Sequence, residues 1–135
     1  MAKIIQIEGV GPSYADKLRN LGIRTTTKLL DEAATMGGRQ RISEETGIPE
    51  GVILEWAFLA DLMTIDGIGP EYASLLEAAG VDTKPELALR SPQLLLERMR
   101  QVNERKHLVR RLPSQKQVAG WIKQALKSPS RIRYI

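Results

Sequence analysis

The stretch I-E-G-V-G-P at residues 7–12 decides the fold, because it recurs as I-D-G-I-G-P at residues 65–70, 58 positions later. The two copies continue in step through six identical pairs: Tyr14/Tyr72, Ala15/Ala73, Leu18/Leu76, Gly22/Gly80, Thr25/Thr83 and Leu29/Leu87. A Gly-x-Gly turn that opens a short helix directs several amide N–H groups to the positive end of that helix, which suits a phosphate. The doubled turn therefore predicts a tandem module that holds a polyanion at two points.

Apolar residues recur at helical spacing over nearly the whole chain, which predicts an all-α fold. Each repeat contains about four helices, and we expect the two repeats to form one compact helical domain. The expected helices cover residues 12–21, 26–36, 39–46 and 52–63, then 70–79, 85–90, 93–102 and a last helix after Ser114. The repeats are assigned to residues 1–63 and 64–127, and a basic tail follows at 128–135 as a short strand or a disordered arm.

Glycines and capping residues give the expected helix ends. Gly22, Gly37-Gly38, Gly47 and Gly80 are interpreted as stops, Thr83 with Glu86 and Ser114 with Gln117 as capping boxes, and Asn103 as the cap of a further short turn. Trp56 and Trp121 are interpreted as core residues that match between the repeats. Since they are separated by more than 58 residues, the second copy carries an insertion of about seven residues.

Composition limits the classes of function. The 135 residues include no cysteine and a single histidine, His107, which excludes disulfides, thiolate catalysis and a multi-histidine metal site. Neither a membrane-spanning apolar run nor a signal peptide is recognisable, so we expect a cytoplasmic protein. Neither a carboxylate–histidine constellation nor a nucleotide-binding Gly-x-x-x-x-Gly-Lys-Ser/Thr loop is present, so no enzyme activity and no cofactor are expected.

Positive charge is concentrated toward the end of the chain. Residues 98–133 contain eleven Lys/Arg and one acid, Glu104, whereas the remainder contains nine Lys/Arg and fifteen Asp/Glu. We define the basic cluster as Arg98, Arg100, Arg105, Lys106, Arg110 and Arg111. Such a cluster is either a footprint for an anionic partner or an ordinary solvated face.

The pattern of a helix, an apolar-x-Gly-Ile/Val-Gly turn and a second helix with fixed Ala and Leu positions resembles the helix-hairpin-helix superfamily. Residues 4 to about 126 resemble a bacterial family of tandem helix-hairpin-helix proteins that is catalogued as a domain of unknown function. The resemblance implies contact with the sugar-phosphate backbone, without sequence readout, at a first turn (residues 9–13) and a second turn (residues 67–71). It also allows a monovalent cation held by the carbonyls of a turn.

The predicted nucleic-acid-binding residues are those of the two turns and the basic cluster. They are Gly9, Val10, Gly11, Ser13, Lys17, Gly67, Ile68, Gly69, Arg98, Arg100, Arg105, Lys106, Arg110 and Arg111. Ser13, with Lys17 and Arg19 nearby, makes the first turn the better donor set, whereas Glu71 follows the second turn. The sequence leaves open whether the basic cluster lies beside a turn.

Three alternatives stand beside the expected role, which is non-catalytic, sequence-independent binding of nucleic acid with DNA as the favoured partner. The turns can be purely structural, with Ile7, Val10, Ile65 and Ile68 filling the core. The basic and acidic parts of the chain can attract each other in a protein-interaction scaffold or a self-associating module. A phosphorylated small molecule at one turn is the third alternative.

Overall fold

The computed structural model describes residues 2–135, and these residues are all-α, as the sequence predicts. A short 3-10 helix, Ile4–Gln6, comes first. The α-helices are α1 Pro12–Asn20, α2 Thr26–Ala33, α3 Met36–Thr46, α4 Glu50–Leu62, α5 Pro70–Ala78, α6 Lys84–Ala88, α7 Pro92–Lys106 and α8 Gln115–Lys127.

The chain forms two compact units. Unit 1 runs as far as Asp61 and also includes Arg131–Ile135. Unit 2 is Leu62–Ser130. Each unit therefore contains one glycine turn and the helices that follow it.

The two turns have the same backbone conformation, one in each unit. Gly9 and Gly67 each have a φ of 91°, a left-handed conformation that side chains rarely adopt. The amide of Val10 donates to Ile7 O at 3.0 Å, and that of Ile68 donates to Ile65 O at 3.1 Å. Proline then occupies the first position of both α1 and α5, where the missing N–H costs nothing.

The ends of the next helices also correspond. Gly22 and Gly80, with φ values of 81° and 94°, follow α1 and α5 directly as predicted. Thr25 accepts a hydrogen bond from Lys28 N at 3.1 Å, which caps the start of α2. Thr83 caps α6 in the same way, because its side chain accepts from the amide of Glu86 at 3.2 Å. The predicted capping box is only half formed, since within residues 2–135 the Glu86 carboxylate accepts no hydrogen bond from the amide of Thr83. These local signals were sufficient because a cap satisfies amides within a single turn of helix.

Two predicted boundaries are wrong. Gly37 and Gly38 do not stop a helix but lie in the first turn of α3. The amide of Gly38 donates to the hydroxyl of Thr35 at 3.0 Å, which caps the start of this helix. Asn103 does not start a new turn, because α7 continues through it to Lys106. Its side-chain amide instead exchanges two hydrogen bonds with the backbone of Val109, at 3.0 and 3.1 Å, and so closes the loop after α7.

The C-terminal tail is neither the strand nor the free arm that the sequence suggested. Arg133 N donates to Ala34 O at 2.7 Å, and Ile132 is buried in unit 1. The guanidinium of Arg39, only 5% exposed, donates to Ala33 O at 2.9 Å, Ala34 O at 3.1 Å and Arg133 O at 2.6 Å. A buried arginine therefore links the end of α2 to the tail.

Candidate nucleic-acid interface

In each turn the first glycine is exposed and the apolar residue after it is buried in the core. Gly9 and Gly67 are exposed, whereas Val10 and Ile68 are buried. Since the amides of Val10 and Ile68 already donate within the turn, these two predicted residues have no free main-chain donor for a ligand. Their contribution is to fix the turn, as the structural alternative expects.

The start of the following helix carries the unpaired donors. Within residues 2–135, six amides at these positions have no acceptor: those of Gly11, Ser13 and Tyr14 at α1, and those of Gly69, Glu71 and Tyr72 at α5. The first amides of any helix lack an intrahelical partner. Both sets of donors therefore remain available at the positive end of a helix dipole.

A tryptophan lies beneath each turn, and both rings belong to the core as predicted. Trp56 and Trp121 are each 2% exposed. A β-carbon on Gly67 would lie 3.0 Å from Trp121 Nε1, and one on Gly9 would lie 3.3 Å from Trp56 Nε1. Only glycine fits both the positive φ and this close approach.

The structure brings part of the basic cluster to the second turn. The hydroxyl of Tyr72, in the first turn of α5, donates to Arg111 O at 2.9 Å. The loop that contains exposed Arg110 and Arg111 is therefore fixed against the start of α5. Arg98, Arg100, Arg105 and Lys106 lie on exposed positions of α7, which also contacts α5.

Arg100 is the member of the basic cluster whose charge is compensated. It forms ion pairs with Glu97 and Glu104 on neighbouring turns of α7. The hydrogen bond from Arg100 holds the pKa of Glu97 below its ordinary value, so this carboxylate stays ionised. Arg100 therefore adds less positive potential than the other members.

Charge favours the second turn, although the sequence gives the first turn the better donor set. Unit 2 contains eleven Lys/Arg and seven Asp/Glu, whereas unit 1 contains nine of each. Beside the first turn, Arg19 pairs with Asp16 at 3.3 Å. Arg131, which the sequence count assigned to the basic end, belongs to unit 1 and pairs there with Asp31 at 2.8 Å.

Sequence reasoning did not single out three lysines of α8. Lys116, Lys123 and Lys127 are exposed, and their spacing of seven and four residues places them on one face of the helix. Gln124 Oε1 accepts a hydrogen bond from Asp66 N at 3.1 Å, so α8 lies directly beside the second turn. The helical spacing was readable in the sequence, but the neighbouring turn was not.

Two other features are absent from residues 2–135. No group of three or more His, Cys, Asp or Glu side chains could hold a metal ion there. In the same residues, no helix is long and apolar enough to cross a membrane.

These features define a small all-α protein of two helical units, each opened by an exposed glycine turn. The chain belongs to the family described as Domain of unknown function (DUF4332), whose model matches residues 8–128. This match confirms the expected membership of a domain-of-unknown-function family. No curated protein and no solved structure matches the chain.

Proposed function

We propose that this protein binds nucleic acid, with DNA as the favoured partner, through the sugar-phosphate backbone and without reading sequence. The observation that carries the proposal is the pair of exposed glycine turns, each followed by three unpaired amides at a helix start. Such amides hold phosphate oxygens well, because the helix dipole adds to their hydrogen bonds. We assign the turns to the helix-hairpin-helix type on the same basis.

Electrostatics supports the proposal. Four members of the basic cluster, Arg105, Lys106, Arg110 and Arg111, lie at the end of α7 and in the loop tied to α5. Phosphates supply most of the affinity in non-specific nucleic-acid binding, so cations next to a phosphate-binding turn strengthen it. We further propose that the protein is cytoplasmic and non-catalytic. The one cofactor we suggest is a monovalent cation held at a turn.

Binding should weaken steeply with salt. If the two turns and the basic cluster neutralise about four phosphates, raising salt from about 50 to about 200 mM should lower the affinity roughly 150-fold. Fluorescence anisotropy with a labelled mixed-sequence duplex measures this, and a duplex of scrambled sequence should give the same curve. The affinities for single-stranded DNA and for duplex RNA, measured in the same way, show which kind of nucleic acid is bound best. Absence of duplex binding at the lowest salt would refute the proposal.

A protein-interaction scaffold is the second candidate, and exposed leucines favour it. In unit 2, Leu89 is 85% exposed just after α6, and Leu94 is 74% exposed in the first turn of α7. Exposed apolar side chains close in sequence are typical of a contact surface. We expect this alternative to give concentration-dependent association in analytical ultracentrifugation, which Leu89→Ser with Leu94→Ser abolishes. A monomer at every concentration and salt would exclude self-association.

A further inference from the structure

The indole N–H groups of the two tryptophans have no hydrogen-bond acceptor. Neither Trp56 Nε1 nor Trp121 Nε1 donates to any group within residues 2–135, although both side chains are 2% exposed. No fully buried side-chain nitrogen or oxygen in the same residues lacks a partner. Each indole N–H must therefore keep a narrow access to solvent. A tryptophan N–H that is nearly buried ordinarily has a hydrogen-bond acceptor. Both indole N–H groups can therefore still donate a hydrogen bond to a ligand.

Trp121 places this donor at the second turn. Its Nε1 lies against Gly67, 3.0 Å from the point where a β-carbon on this residue would be. Its ring also contacts that of Tyr72, with centroids 5.3 Å apart, and the amide of Tyr72 is one of the unpaired donors at the start of α5. The indole N–H and the helix amides therefore lie on the same small part of unit 2.

The lysines of α8 extend this part of the surface. The helix is held beside the second turn by Trp121 and by the hydrogen bond from Asp66 N to Gln124. Lys116, Lys123 and Lys127 lie on the exposed side of the same helix, about a quarter turn around its axis from Gln124 and about 140° from Trp121. None of the three has a carboxylate within ion-pair distance among residues 2–135.

The first turn has no such neighbour. Counted from the matching tryptophans, the positions of α4 that correspond to the three lysines are Gly51, Phe58 and Leu62. None of these carries a charge. Trp56 repeats the indole geometry of Trp121, so the difference between the turns is the lysine face and not the ring.

We propose that Trp121 and the lysine face of α8 (Lys116, Lys123 and Lys127) join the second turn in one phosphate-binding surface, and that unit 2 supplies most of the affinity for a nucleic-acid backbone. This inference rests on the proposed function and adds residues to it. The indole N–H is the donor for a phosphate oxygen at the turn. The lysines hold the phosphates that follow along the strand.

A matched pair of triple variants tests the lysine face on duplex DNA. Changing Lys116, Lys123 and Lys127 to glutamine should reduce the slope of log affinity against log salt by about 2.7, since each lost phosphate contact contributes about 0.9. The control changes three exposed cations of unit 1, Lys3, Arg24 and Lys28, to glutamine, with the same loss of net charge, although Lys28 pairs with Glu32 at 3.0 Å. The control should retain most of the slope. Equal losses in both variants, or no loss in the first, would overturn the inference.

Inorganic phosphate tests the indole donor separately from nucleic acid. In ¹H–¹⁵N spectra the two indole resonances, of Trp56 and Trp121, are internal controls for each other. We expect a saturable shift of the Trp121 resonance that is several-fold larger than that of Trp56, and that shrinks in the α8 variant. If the wild-type chain fails to bind duplex DNA, the proposed function is wrong, yet this titration still decides the donor role. Unshifted indoles, or equal shifts in both, would refute it.

Discussion

Replacing Arg39 with methionine should lower the free energy of unfolding by about 3–4 kcal/mol, because three carbonyls lose a charged donor. The guanidinium of Arg39 is buried and donates to Ala33, Ala34 and Arg133. Methionine retains most of the apolar contact of the arginine stem, so the loss reports mainly on the hydrogen bonds. Urea unfolding followed by circular dichroism measures the change.

Loss of Arg39 should also loosen the tail. Arg133 O loses the hydrogen bond from Arg39, although the hydrogen bond from Arg133 N to Ala34 O remains. We therefore expect faster removal of the last residues by carboxypeptidase. Arg41→Met is the matched control: Arg41 lies on the same helix, but its side chain is 56% exposed and pairs only with Glu32. An exposed pair of this kind is worth at most about 1 kcal/mol, so equal effects of the two substitutions would contradict the prediction.

The second large effect is expected at Gly67. Gly67→Ala combines a φ of 91° with a β-carbon 3.0 Å from Trp121 Nε1. The left-handed conformation costs about 1–2 kcal/mol and the overpacking against a buried ring about 1–3 kcal/mol more. We expect a total loss of about 2–5 kcal/mol in the free energy of unfolding, together with a change in tryptophan fluorescence.

Gly22→Ala separates these two causes. Gly22 also has a positive φ, 81°, but a β-carbon there meets no atom within 4 Å in the described part of the chain. Its substitution should therefore cost only the backbone part, about 1–2 kcal/mol. If Gly67→Ala proves no more destabilising than Gly22→Ala, the packing of Trp121 against the turn is not a constraint.

Interpretation of the turns depends on which atoms remain free. The sequence identified both turns, but it could not show that the amides of Val10 and Ile68 are already used. This narrows the donors of each turn to the helix start. The buried apolar residue of a turn can therefore stabilise the fold while the exposed amides of the same turn bind a ligand.

Residue patterns alone were sufficient to predict the all-α class, the doubled glycine turn and most helix ends, such as the glycine after α1 and the capping box at Ser114. These features depend on φ angles and hydrogen bonds within one turn of helix, so local residues are sufficient to specify them. Where local signals competed, as at Gly37-Gly38, the pattern was misread.

Which distant residues surround each turn depends instead on tertiary contacts. Tyr72 brings the loop of Arg111 to α5, Gln124 brings α8 to the second turn, and Arg39 holds the tail in unit 1. Each link joins residues far apart in the chain or depends on a single side chain reaching a backbone group. Such contacts follow from the packing of whole helices, which no residue spacing encodes, and they place part of the basic cluster beside the second turn, which the sequence left open.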